Sequence, residues 1–162
     1  MKRIHLISIL FIGLLSCNTQ SPVYFTEQAL ADTFIGLAGE QKSLQTLLDE
    51  RKGKTFVINV WASWCSDCIR SMPDLKALQA EFSEVEFLFL SEDRSIASWK
   101  KAIQRYALYG DHYFMPEGND GPFAKFLNSN WIPRYMVIDP EGNIKLFKAK
   151  KVTDPKLKQA LQ

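Results

Sequence analysis

Phe56-Val57-Ile58-Asn59-Val60-Trp61-Ala62-Ser63-Trp64-Cys65-Ser66-Asp67-Cys68 is the stretch on which the fold turns. From Phe56 to Trp61 it is almost unbroken in β-forming residues, the pattern of a strand buried on both faces inside a parallel or mixed sheet. From Ile69 the period changes. Leu75, Leu78 and Phe82 recur at three and four residues, which predicts a helix to about Phe82 and places Cys65 at or just before its N-terminus. Free N–H groups and the positive end of the helix dipole stabilise a thiolate there, and the thiolate is the form of cysteine that attacks disulfides. The two-residue spacer lets Cys68, one turn on, close a disulfide with Cys65. Strand, Cys-x-x-Cys and helix together predict a redox-active pair, against the plainer alternative of a structural bridge.

Toward the N-terminus, Lys2 and Arg3 precede an apolar run from Ile4 to Leu15, broken only by His5, Ser8 and Gly13. Its length suits the core of a signal peptide better than a bilayer span. Residues 1–16 are therefore expected to be removed and the protein exported. Residues 17–24 then form a short polar tether, and 25–162 one globular domain, which 46% hydrophobic and 23% charged residues suit. Loss of Lys2 and Arg3 leaves 18 basic against 18 acidic residues, so the basic character resides in the leader and no basic stripe argues for nucleic acid. Lys145, Lys148, Lys150, Lys151, Lys156 and Lys158 read as solvated faces.

Phe25 to Leu37 reads as a weak strand or strand pair. Ser43 starts a helix with Leu44, Leu47 and Leu48 on one face. Beyond the central strand and helix come a second buried strand, Val85 to Leu90, and a helix capped by Ser95 with Ile96, Trp99, Ile103 and Tyr106 or Ala107 inward. His112 to Met115 is a short strand. Gly121 or Pro122 opens a helix, and Ile132-Pro133-Arg134 leads into a hairpin of Tyr135 to Asp139 and Ile144 to Phe147. Alternating strands and helices predict an α/β fold with a parallel or mixed sheet.

Trp61 to Cys68, with Pro73 placed to kink the following helix, resembles the active-site turn of thioredoxin-like thiol-disulfide oxidoreductases. The chain is most similar to the exported, membrane-anchored TlpA/ResA branch, over roughly residues 31–162. The resemblance implies a central mixed β-sheet flanked by helices. Pro133 lies 65 residues after Cys68, a surplus of about one strand-helix unit over minimal thioredoxins, and such an insertion in the central region fits that branch. By resemblance Pro133 is the cis-proline before the hairpin, packed on the disulfide, with the backbone of Ile132 presented to an incoming chain. Leu14-Leu15-Ser16-Cys17 resembles a lipobox, which makes Cys17 a lipidated N-terminus and accounts for the odd cysteine.

These resemblances imply an extracytoplasmic, monomeric oxidoreductase without organic cofactor or bound metal. It would be anchored by lipid on Cys17, reduced by a membrane dithiol donor, and active on client proteins with disulfides or thiols. Cys65 is the expected nucleophile and Cys68 the resolving thiol. Trp64 either shapes the client surface or is core. The family precedent includes keeping haem-binding cysteines reduced in cytochrome c assembly.

Two family acids are missing: Asn59 holds the place of a buried aspartate, and Ser71 lies in the segment where relatives carry a glutamate. Glu92 and Glu117 are the candidate substitutes in proton transfer. Asp67, against an exposed and screened Arg134, is expected to raise the Cys65 pKa and keep the potential near or below about −270 mV. A copper or other metal-binding module using the thiols and His112 remains an alternative. A thiol peroxidase is a second, although Ala62 stands where its threonine or serine would be, and a non-redox interaction domain is a third.

Overall fold

The structure, a computed structural model, describes residues 21–128 and 130–162; the leader 1–16 and Cys17 lie outside them. Its elements are α1 (Glu27–Ala31), β1 (Thr33–Gly36), β2 (Gln41–Ser43), α2 (Leu44–Asp49), β3 (Phe56–Trp61), α3 (Ser66–Arg70), α4 (Met72–Glu81), β4 (Glu86–Ser91), α5 (Ile96–Tyr106), β5 (Asp111–Phe114), α6 (Pro122–Leu127), β6 (Arg134–Ile138), β7 (Ile144–Ala149) and α7 (Pro155–Leu161). The strands form one mixed sheet in the order β2-β1-β5-β4-β3-β6-β7, with β3, β4 and β5 mutually parallel and β6 antiparallel to β3. Between β4 and β6 the chain runs through α5, β5 and α6.

Every residue of β3 is buried, as its unbroken apolar run requires, and Asn59 is its one polar side chain. Right-handed crossovers from β3 through α4 to β4, and from β4 through α5 to β5, put both helices on one face of the sheet. There Lys158 of α7 pairs with Glu81 of α4. On the other face α1 packs against both α2 and α6. Phe123 at its centre meets Phe34 edge-on at 6.0 Å and Phe25 at 6.4 Å between ring centroids. Asp32 ties this layer together, because its carboxylate accepts the N–H of Phe123 at 2.9 Å and that of Thr33 at 2.9 Å.

Caps set the helix starts where the sequence placed them. Ser43 accepts from the N–H of Thr46 and Ser95 from that of Ser98, at 3.1 and 3.2 Å. The active-site helix is interrupted at Ser71, two residues before Pro73. Proline has no N–H to give the carbonyl of Ile69 and its ring crowds that carbonyl, so α3 ends and α4 begins anew.

Four expectations change. The segment from Phe25 to Leu37 is not all strand: Thr26 accepts the N–H of Ala29 and starts α1, and only Thr33–Gly36 extends. In α5 Trp99 and Ala102 are buried and Ile103 and Tyr106 pack partly buried against the core, as expected of all but Ala102, while Ile96 in the first turn is exposed. Val23, in the part of the expected tether that is described, is joined to the sheet, since its carbonyl accepts the N–H of Ile144 at 2.8 Å. The sequence reading also omitted α7. Asp154 caps it and Pro155 occupies its first turn, but the surrounding lysines hid the short apolar stripe of Leu157 and Ala160.

Phe123→Ala should lower the unfolding free energy by about 3–5 kcal/mol through the cavity it leaves between α1, α6 and the sheet. Urea titration followed by far-ultraviolet circular dichroism measures this directly.

Candidate active site

The site forms where β3 and β4 end side by side. Their parallel register sets Trp61 beside Ser91, so the segments that follow, Ala62 to Cys65 and Glu92 to Asp93, emerge as neighbours. Asp93 uses that proximity. Its buried carboxylate accepts the N–H of Ser63 at 3.1 Å, the hydroxyl of Ser91 at 2.8 Å and the hydroxyl of Ser63. These bonds hold the turn that presents Cys65.

Cys65 and Cys68 form a disulfide with Cα atoms 5.3 Å apart. Cys65 is the N-cap of α3, and its Sγ accepts the N–H of Cys68 at 3.1 Å. It is 6% exposed against 1% for Cys68, so the N-terminal sulfur is the one an incoming group reaches. The peptide bond between Ile132 and Pro133 is cis. The carbonyl oxygen of Ile132 lies 3.5 Å from the Cys65 sulfur, positioned to accept from the thiol of the reduced form.

A cavity of about 270 Å³ opens over Cys65, lined by Trp64, Ser66, Asp67, Glu92, Asn119, Asn130, Trp131 and Ile132. Trp64 is 54% exposed and donates from its indole nitrogen to the carbonyl of Glu92 at 3.3 Å, which removes the core alternative for that residue. Trp61 is fully buried, as expected of a strand residue.

Behind Cys68 the polar groups are neutral. Asn59 donates to the carbonyl of Arg134 at 3.2 Å, and the Ser71 hydroxyl donates to the carbonyl of Cys68 at 2.8 Å and lies 3.3 Å from the Tyr135 hydroxyl. Burial pushes the Tyr135 phenol up to about 12, so nothing in this network titrates near neutrality.

The titrating group is on the other side. Burial is the main cause that raises the carboxyl of Glu92 to about 7, with the positive charge of Arg134 pulling it back. Its Oε1 is buried without a hydrogen-bond partner among the described residues. Glu117, the other candidate acid, is exposed.

Two charges differ from expectation. Arg134 is not a screened surface residue but 2% exposed, directly opposite Val60 in the β3–β6 ladder; burial lowers its pKa, and Glu92 counters that effect. Asp67 is paired with Arg70 one turn along α3 and also lines the cavity over Cys65. Arg134 is thus a buried charge at the site, and Glu92, which lines the cavity over Cys65, is its counter-charge.

His112 does not face the thiols. It lies on β5, two strands from β3, stacked on Phe89 at 4.7 Å with its Nε2 at the carbonyl of Leu108. Among the described residues no three His, Cys, Asp or Glu side chains converge to hold a metal ion.

A parallel-sheet strand that delivers a dithiol to a helix N-terminus beside a cis-proline defines a dithiol–disulfide exchange protein. A thioredoxin-like family profile matches residues 53–144, from the approach to β3 as far as the start of β7. The thiol-disulfide oxidoreductase ResA of Bacillus thuringiensis subsp. konkukian is 26% identical over 156 residues, covering 89% of this chain and 87% of that protein. The thiol:disulfide interchange protein DsbE of Yersinia pestis is 32% identical over 105 residues, 64% of this chain and 53% of its own length. Among solved structures, a thiol-disulfide oxidoreductase from Bacteroides fragilis superposes with a TM-score of 0.66 at 25% identity, covering 82% of this chain and 98% of that one. The chain belongs to the thioredoxin-like family, as a thiol-disulfide oxidoreductase.

Asp93 was missed in the sequence. Ser91-Glu92-Asp93 at the carboxyl end of a buried strand, adjacent in a parallel sheet to the cysteine-bearing one, was the available signal. Asp93→Ala should destabilise the fold by about 2–3 kcal/mol, since it removes several charge-assisted hydrogen bonds at once. Ser63→Ala, which keeps the backbone bond, should cost less than half as much. Denaturant midpoints of the two variants check this.

Proposed function

We propose that the protein is an exported, lipid-anchored reductant of disulfides in other proteins. The observation that carries this is Cys65 itself, a sulfur capped by the Cys68 N–H and open to a cavity, with its partner thiol sealed behind it.

In the reduced protein, Glu92 takes the proton of Cys65, its carboxyl being poised near working pH. The thiolate attacks one sulfur of a client disulfide. A Cys65–client bond forms, the client S–S bond breaks, and the departing client thiolate receives that proton from Glu92. Cys68 then attacks Cys65 Sγ, the mixed disulfide breaks, and the second client sulfur leaves with the proton that Cys68 gives up. Two electrons pass to the client and the Cys65–Cys68 disulfide remains. Trp64 and Ile132 border the space the client enters, and the Pro133 carbonyl accepts from Arg134 at 3.2 Å.

The direction follows from the pair of charges. Above pH 7 an ionised Glu92 cancels Arg134, so the Cys65 thiolate gains no net support and the disulfide form is favoured, which makes the couple reducing. Below pH 7 Glu92 becomes neutral, Arg134 acts alone, and the reduced form gains. Glu92→Gln should therefore lower the Cys65 pKa and raise the redox potential by about 30 mV for each unit of that pKa shift, and it should abolish the inflection near pH 7 in the potential against pH. Equilibration with glutathione over pH 5.5–8.5 measures both. An unchanged potential would sink the Glu92 assignment.

The anchor rests on Cys17 after the lipobox-like run. Dual acylation there would hold the domain beside a membrane dithiol donor, which reduces it as a monomer without cofactor. Haem-binding cysteines in cytochrome c maturation are the client class that the TlpA/ResA resemblance favours. One experiment tests the whole reading: Cys68→Ala, expressed in the native host with and without Cys17→Ser. Mixed disulfides on Cys65 should appear in the membrane fraction with Cys17 intact, and the protein should move to the soluble extracytoplasmic fraction without it. A membrane fraction free of adducts would count against protein clients, and unchanged membrane association would refute the lipid anchor.

A further inference from the structure

Trp131 divides the surface around the disulfide. On one side it lines the cavity over Cys65; on the other it lines a second hollow of about 440 Å³ that also includes Pro133, Lys150 and Lys151. At 59% exposure its indole is a ridge between the two. A chain laid across Cys65 in extended form, at roughly 3.3 Å per residue, passes from the first hollow over Trp131 into the second within a few residues.

The charges in the second hollow are unequal. Five charged side chains line it, and Arg70 is occupied by Asp67. Asp74 is then opposed by both Lys150 and Lys151, neither of which forms an ion pair with a described residue. Lys148 extends the same patch, bordering the next hollow with Lys150, Lys151 and a single acid, Asp154. Lys148 is the penultimate residue of β7, and Lys150 and Lys151 follow the strand's end in the short link to α7.

We propose that Lys150 and Lys151 select clients whose disulfide cysteine is followed or preceded within a few residues by acidic side chains, with Trp131 as the apolar ridge that the client backbone crosses. This rests on the reading of the protein as a reductant of protein disulfides and specifies the partner's chemistry. A positively charged rim beside a reactive sulfur raises the encounter rate with acidic segments and orients them, while leaving the sulfur chemistry unchanged.

The test uses the reduced protein and three disulfide-linked peptides identical except for a pair of Asp, Ser or Lys residues placed three residues from the cysteine. The second-order rate constant at low ionic strength should be about fivefold higher for the Asp peptide than for the Ser peptide and lowest for the Lys peptide, and the spread should collapse as salt is raised. In the double variant Lys150→Glu, Lys151→Glu the order should reverse, with the rate toward uncharged hydroxyethyl disulfide unchanged. Equal rates for all three peptides, or an Asp preference that survives in the variant, would overturn the proposal. A protein that reduces hydroxyethyl disulfide but none of the peptides overturns the protein-client reading on which it rests. Preferential retention of the wild type over the variant by anionic phosphatidylglycerol vesicles, without any peptide preference, would assign the lysines to a membrane surface and likewise overturn it.

Discussion

The parallel pairing of β3 with β4 is the constraint from which the site follows. Because Trp61 and Ser91 lie at the same level, everything after them meets: the turn carrying Cys65, the carboxylate of Asp93 that fixes that turn, and the carboxyl of Glu92 that faces the cavity. A register change of one residue would turn each of these side chains to the opposite face. The antiparallel neighbour β6 completes the arrangement from the other side, bringing Ile132 and Pro133 against the sulfur and burying Arg134 opposite Val60. Three strand ends thus supply the thiol, its brace and its charges.

Much of this was legible in the chain. The unbroken run from Phe56 to Trp61 could only be a strand covered on both faces, and its bounds agree with β3 residue for residue. Ser43 and Ser95 announced helix starts because a hydroxyl before an apolar stripe has a specific use there. The cis bond at Pro133 was carried by resemblance rather than by local pattern, since a proline before a strand has ordinary explanations.

What escaped was tertiary. The charge on Arg134 could be judged only by knowing that its strand is interior, and composition near residue 134 gives no sign of that. The ion pair of Asp67 with Arg70, one turn along the helix, depends on side-chain placement that the sequence did not display. Asp93 lies 28 residues from Cys65 in the chain and is connected to it only through the sheet register. Helix α7 escaped for a different reason: its two buried positions are too few to stand out among lysines.

Among the described residues the sheet ends in two edge strands, and both are poor templates. At one end β2 is three residues long and carries Lys42; at the other, β7 exposes Lys145 and Lys148 and is shifted in register against β6 by a bulge. Short length, cationic side chains and irregular pleat each discourage another strand from adding itself. A domain crowded with identical copies on a surface would meet its neighbours edge to edge far more often than one in free solution. Blunted margins of this kind would keep such neighbours from zippering into a continuous sheet.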